Sequence, residues 1–448
     1  MIAPFDFIDP ARPSRRVGRC CAALLAILLC YAAPALGYEF PHTNPYLATV
    51  VGTPVELQAK HPPVKLKTKR LPVAVGRNIP DVLSYGSKLE YSIATQRGPA
   101  PLIFVLAGTG GDHNSSTNAS LMQAFHAAGF HVVGISSPTH PKFVIAASTT
   151  AVPGNMSLDA QDLYRVMGQI WERHKAKLQV TSFHLTGSSL GGIQAAFVAQ
   201  LDDSQRRFDF ERVLLINSPV SLYSSVSKLD RMLENIPGGV DNFDRYFDRV
   251  VSQIGAAYNR STSVEFNQDL VFAAFAQAPP THEDLAAIIG VAFRMSGMNM
   301  IFTADLMTNF GFIKPKELVL PADADLGPYT EVAMRVGFTD YFHEFMWPFY
   351  EDQYPNMDRQ AFAEAQSLVA IADYLQNADN IFAVHNQDDI ILARNEIEFF
   401  HQTFGDRLKV YPVGGHLGNV VQHETLSHIV STITDGISGA RAAAAAGR

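Results

Sequence analysis

The sequence predicts an α/β fold: a doubly wound, mostly parallel sheet with a large helical insertion as a cap. Three observations carry that expectation. Short, continuous apolar runs at 102–107, 130–135, 213–217 and 381–384 mark strands covered on both faces. Helical periodicity alternates with them, as in Leu163, Val166, Met167, Ile170 and Trp171. From about Leu222 to Ala378 the alternation stops, and helical, aromatic-rich segments follow one another without a buried strand.

The N-terminus reads as a signal peptide over residues 1–37. Arg12, Arg15, Arg16 and Arg19 form a basic region, residues 20–33 an apolar one, and Ala35-Leu36-Gly37 a small-x-small cleavage site. The apolar region is too short for a comfortable membrane span. Export to the periplasm or out of the cell is therefore expected, with no stable span after cleavage. Cys20, Cys21 and Cys30, the three cysteines of the chain, fall in this segment. The mature protein would then hold no disulfide and no thiolate metal site. Net charge is −8 for 448 residues, so nothing suggests a nucleic-acid partner.

Residues 38–100 read as β-rich. The stretches 50–57 and 71–75 are short apolar or alternating runs broken by prolines, and 89–94 alternates as a half-exposed strand does. These predict antiparallel edge strands. From Pro101 onward the buried strands begin. A helix over 121–128 separates the first two, and the strand 180–185 leads to a small-residue helix over 191–199. Within the insertion, Phe243, Tyr246, Phe247, Val250, Val251 and Ile254 fit an amphipathic helix. The stretch 285–312 is rich in Met and Phe, but Arg294 and Asp305 argue against a membrane span. After 379 the order returns: strand 381–384, helix 394–404, strand 408–411, closing helix 420–433, then an Ala-rich tail expected to be disordered. The chain thus divides into a core over 38–222, a helical cap over 223–378, the rest of the core over 379–435, and a tail over 436–448.

The turn between strand 180–185 and its helix contains Gly187-Ser188-Ser189-Leu190-Gly191, a G-x-S-x-G pattern. Such a turn presents a serine Oγ at the end of a sheet, and the helix start aims N–H groups at the same point. Alone, the pattern is weak: about one random chain of this length in ten would carry it. A serine also needs a base, and the base an orienting group. In a doubly wound sheet these should lie just past the carboxyl ends of strands. After strand 381–384 comes a loop with Asp388 and Asp389; after strand 408–411 comes Gly414-Gly415-His416. After the first buried strand comes Gly108-Thr109-Gly110-Gly111, placed to donate an oxyanion N–H beside that of Leu190. Thr109 and Gly110 are equal candidates, and adjacent Asp388 and Asp389 point different ways. No spacing of His, Asp and Glu reads as a metal site, and no cofactor is expected.

The motifs LAGTGG (106–111), GSSLGG (187–192), HNQDDII (385–391) and VGGHLG (413–418) resemble those of the α/β-hydrolase superfamily, of the esterase and lipase kind, over residues 90–222 and 379–435. What the resemblance implies is a serine hydrolase with Ser189 as nucleophile, His416 as base and Asp389 as acid, the second of two adjacent aspartates often taking that role; Asp388 is the alternative. The expected reaction is cleavage of a small-molecule or lipid-like ester through an acyl-enzyme, with the apolar cap pointing to a hydrophobic acyl group. A peptidase, amidase or acyltransferase would use the same triad, and a binding module on a hydrolase scaffold is a further reading. His113, just past the first loop, is a candidate substrate contact; His140, His184, His385 and His423 read as structural.

Overall fold

A computed structural model describes residues 38–72, 76–236, 238–242, 245–246, 248–249 and 280–446. The described residues from Phe40 onward belong to one compact unit. The expected signal peptide and its cysteines lie outside the described residues, as does most of the amphipathic helix expected over 243–254.

The chain enters the sheet domain through a helix, α1 (Pro45–Val51), where alternation had predicted a strand over 50–57. Asn44 Oδ1 accepts from the N–H groups of Tyr46 and Leu47 at 2.9 and 3.2 Å, and Pro45 occupies the first helical position. That cap overrides the β-like pattern, and residues Val55–Leu57 form only a 3-10 turn. Strands β1 (Lys67–Pro72), β2 (Lys88–Ala94) and β3 (Ala100–Leu106) follow. Next come α2 (Ser116–Ala127), β4 (His131–Ile135), α3 (Pro141–Ala146), α4 (Met156–His174) and β5 (Val180–Ser188). Helix α5 (Leu190–Gln205) and β6 (Arg212–Ile216) complete the first part of the core.

The sheet has eight strands in the order β1-β2-β4-β3-β5-β6-β7-β8. Strand β2 pairs antiparallel with β1 and β4, and every pair from β4 to β8 is parallel. Edge strand β1 buries only Leu71. By contrast β3 and β4 are buried at every residue, which requires cover on both faces. Helix α4 packs on α5, and α2 on the last helix; these two pairs supply the layers. Phe104, paired in register with Leu185 and Val133, sits in the main core with Phe208, Val213 and Met167.

The cap lies between β6 and β7 (Ile381–Asn386), and its described residues contain no strand. Helices α6 (Leu222–Arg231), α7 (His282–Thr308), α8 (Gly327–Arg335), α9 (Arg359–Ala365) and α10 (Ala372–Asn377) build it. A capping box of Thr281 and Asp284 starts α7, and Asn309 with φ 51° ends it. Asp305 then accepts four backbone N–H groups, those of Gly311, Phe312, Ile313 and Lys314, at 2.8 to 3.0 Å. Helix α7 is long and apolar enough to cross a membrane, but 67% of its most apolar window is buried within the fold. Met300, Ile301, Phe338, Phe345 and Phe362 form a second core, which also takes in Ile145 of α3 and Val152. The aromatic stretch after α8 includes a π-helical turn, Tyr341–Met346.

Helix α11 (Glu396–Phe404), β8 (Leu408–Tyr411) and α12 (His423–Ala446) close the chain. The tail expected to be disordered from 436 continues α12 instead, and only 447–448 lie outside the described residues. Alanine has the highest helix propensity, so the run extends a helix already nucleated upstream.

Candidate active site

Ser189 stands between β5 and α5 with φ 55° and ψ −124°. Such a backbone costs a non-glycine residue about 1–3 kcal/mol and persists only when its surroundings fix it. Here its N–H donates to Ile216 O at 2.9 Å, and its carbonyl accepts from Gly192 N–H at 2.8 Å. A side chain on Gly187 would overlap the Gly191 carbonyl. A Cβ on Gly191 would lie 2.5 Å from Leu106 O and 2.8 Å from Ala107 O. The glycines therefore let β3, β5 and α5 meet under the serine.

His416 Nε2 lies 2.9 Å from Ser189 Oγ, and its Nδ1 lies 3.0 and 3.1 Å from the two carboxylate oxygens of Asp389. All three residues are buried. A carboxylate only accepts, so Nδ1–H donates to Asp389 and the Nε2 lone pair faces the Ser189 hydroxyl. Asp389 also accepts from Asn217 Nδ2 at 2.8 Å and Ile391 N–H at 3.1 Å. Burial by itself would raise its carboxyl; the His416 imidazole, its hydrogen bond, His385 and the Asn217 amide outweigh that and hold it below its ordinary value. Asp388 turns the other way and accepts from Gly414 and Gly415 N–H at 3.2 and 2.9 Å. Burial raises its carboxyl, with those two N–H groups offsetting part of the rise.

The loop carrying His416 is tied down from several sides. Its own N–H donates to Thr49 Oγ1 on α1 at 2.9 Å. Asn386 Nδ2 donates to Gly415 O, and the Asn386 and Asn419 amides exchange two bonds, all at 2.8 Å. Thus the N-terminal helix, the end of β7 and the acid loop all orient one imidazole.

Leu190 is the first residue of α5, so its N–H has no intrahelical acceptor and lies at the positive end of the helix. Across from it, Gly110 N–H already donates to Thr139 Oγ1 at 2.8 Å. The Gly110 N–H is thus engaged, while Thr109 lines one cavity together with Leu190. Helix α7 covers this loop: a Cβ on Gly110 would come within 2.9 Å of Ser296 Cβ.

Thr109 and Leu190 line a cavity of about 60 Å³ whose walls include Val226, Met300, Phe342 and Met346. Its polar neighbours are engaged elsewhere. Tyr341 Oη donates to Pro153 O, while Gln366 accepts from Met156 N–H and donates to Phe362 O. The lining therefore offers a guest mostly apolar contact. His113 is not part of it; its ring bonds Ser92 Oγ at 2.8 Å beneath the loop. His140 caps α3, and burial lowers its pKa to about 4.

Sequence reasoning missed Asn217, Thr139 and Thr49. Asn217 had a signal, since it directly follows a buried strand at the edge where the other groups were sought. Thr139 and Thr49 had none, because each acts through a fold-dependent contact with a backbone N–H. Among the described residues no group of three or more His, Cys, Asp or Glu could hold a metal ion.

No family model matches the sequence, and no curated protein does. Solved structures with a similar trace include a proline iminopeptidase of Mycobacterium smegmatis, at 13% identity over 84% of this chain and 100% of that one, with a TM-score of 0.41. A bacterial brefeldin A esterase shares 14% identity over 95% of this chain and 94% of its own, at a TM-score of 0.40. An esterase of the archaeon Pyrobaculum calidifontis shares 14% over 93% and 98%, also at 0.40. A sheet in this order, with a turn serine after the fifth strand and acid and histidine loops after the seventh and eighth, is the α/β-hydrolase fold, and this chain has it.

Proposed function

We propose that this protein is a serine hydrolase of carboxylic esters, with Ser189 as nucleophile, His416 as general base and acid, and Asp389 as the carboxylate that orients it. The observation that carries this reading is the unbroken hydrogen-bond chain Ser189–His416–Asp389 at 2.9 and 3.0 Å. Ser189 Oγ attacks the ester carbonyl carbon while its proton passes to His416 Nε2. The carbonyl oxygen becomes an oxyanion held by the N–H groups of Thr109 and Leu190. As the tetrahedral intermediate collapses, His416 gives the proton to the departing alcohol oxygen and an acyl-enzyme remains. Water, deprotonated by His416, attacks the acyl carbon; the proton returns to Ser189 Oγ as the acid leaves.

The cavity beside Thr109 and Leu190 supports a hydrophobic acyl group, since its exposed lining is apolar. Met300 and Met346 are flexible enough to move aside for a chain longer than the resting space holds. The basic and apolar N-terminal segment supports export with loss of residues 1–37, which the intact mass of the exported protein tests.

The decisive experiment labels the protein with a fluorophosphonate and reads intact mass. Wild type should gain one adduct, Ser189→Ala none, and His416→Ala one at a far slower rate. Labelling that persists in Ser189→Ala would place the nucleophile elsewhere.

A further inference from the structure

His416 lines a second and much larger cleft, of about 700 Å³, between α1, the first turns of α2 and the loop 416–421. We propose that this cleft receives the alcohol part of the ester, and that this alcohol is neutral and rich in hydroxyl groups, a polyol or a sugar.

The inference rests on the triad reading above, which fixes the direction of the substrate. The carbonyl oxygen lies at Thr109 and Leu190, and the leaving oxygen must reach His416 Nε2 to take its proton. The acyl part is then nearest the small apolar cavity and the alcohol part nearest the cleft beside His416.

The chemistry of the cleft decides which alcohol. Its walls carry Thr53, Gln58, Ser116, Thr117 and Ser120, and no Asp, Glu, Lys or Arg. A cationic headgroup would need a carboxylate or an aromatic cage, and the lining has neither. No Lys or Arg in the lining balances the charge of a phosphate. The protons of several wall groups are already committed. Thr53 Oγ1 donates to Gly418 O, Ser120 Oγ to Ser116 O, and Gln58 Nε2 to Thr53 O. What these three retain is mostly acceptor capacity, two hydroxyl oxygens and an amide carbonyl, beside one further N–H of the Gln58 amide. Acceptors call for donors, and neutral donors attached to an alcohol are hydroxyls. Val420 and Val421 in the same wall suit the C–H faces that polyols and sugars also present.

The test uses one acyl chain on four alcohols: methanol, n-decanol, choline and glucose. Wild type should show a kcat/KM for the glucose ester at least about tenfold above the decyl and choline esters. The ratio of glucose ester to methyl ester should fall about fivefold in Thr117→Val, the size of one net hydrogen bond, and recover in Thr117→Ser. A decyl or choline ester turned over as well as the glucose ester overturns the proposal, as does an unchanged ratio in Thr117→Val. If wild type turns over none of the four and Ser189 takes no fluorophosphonate, the triad reading itself fails and the cleft's role falls with it.

Discussion

Asp389→Asn should lower kcat about 10⁴-fold, while Asp388→Asn should lower it less than about tenfold. Asp389 accepts from three donors at once: His416 Nδ1, Asn217 Nδ2 at 2.8 Å and Ile391 N–H at 3.1 Å. An asparagine has one accepting oxygen and one donating NH₂. If its oxygen faces Asn217, its NH₂ meets the Ile391 N–H; if the oxygen faces Ile391, the NH₂ meets the Asn217 amide. In both settings the NH₂ can also claim His416 Nδ1 as an acceptor, which moves the imidazole proton to Nε2. The Nε2 lone pair that should take the Ser189 proton is then gone. A loss of that size is about 5.5 kcal/mol in the barrier. Asp388 instead holds Gly414 and Gly415 N–H, and an asparagine oxygen keeps at least one of those bonds. The assay is steady-state hydrolysis of a chromogenic ester with the rate of fluorophosphonate labelling beside it. Equal losses in the two variants, or an Asp389→Asn enzyme within tenfold of wild type, would refute the reasoning.

Thr139→Val removes the acceptor of Gly110 N–H and loosens the loop that presents Thr109. It should lower kcat about tenfold with little change in KM, because the oxyanion contact strengthens in the transition state; a change in KM alone would count against it. Asp159 bears on stability. Burial, aided by the charge of Asp162, pushes its carboxyl up to about 8 against the pull of Gly154 N–H. In the unfolded chain the group titrates at about 3.9, so between about pH 4 and 8 the unfolded state loses a proton that the native state keeps. Native stability therefore falls as pH rises through that window. Asp159→Asn keeps an oxygen for Gly154 N–H and cannot titrate, so its Tm should drop less than that of wild type from pH 5 to pH 8; equal drops in thermal melts would defeat the idea. Met346→Ala enlarges the small cavity and should move the optimum acyl chain length upward in an ester panel, and an optimum that stays put would detach that cavity from the acyl group.

The strands that position the site were legible because both faces of a parallel sheet are covered, which writes β3 and β4 as apolar runs. The glycines at 187 and 191 were legible because backbone atoms of β3 and α5 leave no room for a side chain. Residues 50–57 misled for a local reason. Their alternation suits a strand, yet Asn44 and Pro45 upstream start a helix, and helix α1 then carries Thr49 to the His416 loop.

By itself, then, the sequence determined the order of strands and loops, and with it the placing of Ser189, the acid pair and His416 at one edge of one sheet. That followed from local rules: burial sets apolar runs, and tight turns demand glycine. Only the tertiary structure decided between neighbours. Asp389 and Asp388 are adjacent in sequence and of one chemistry, but one meets an imidazole and the other two backbone N–H groups. Thr109 and Gly110 are adjacent too, and only the fold brings Thr139, from beyond the end of another strand, to the Gly110 N–H. The apolar cavity and the hydroxyl-lined cleft likewise exist only once residues hundreds of positions apart are packed together. Hydrogen bonds reach about 3 Å in space and respect no distance along the chain, so a pattern of residue types does not record them.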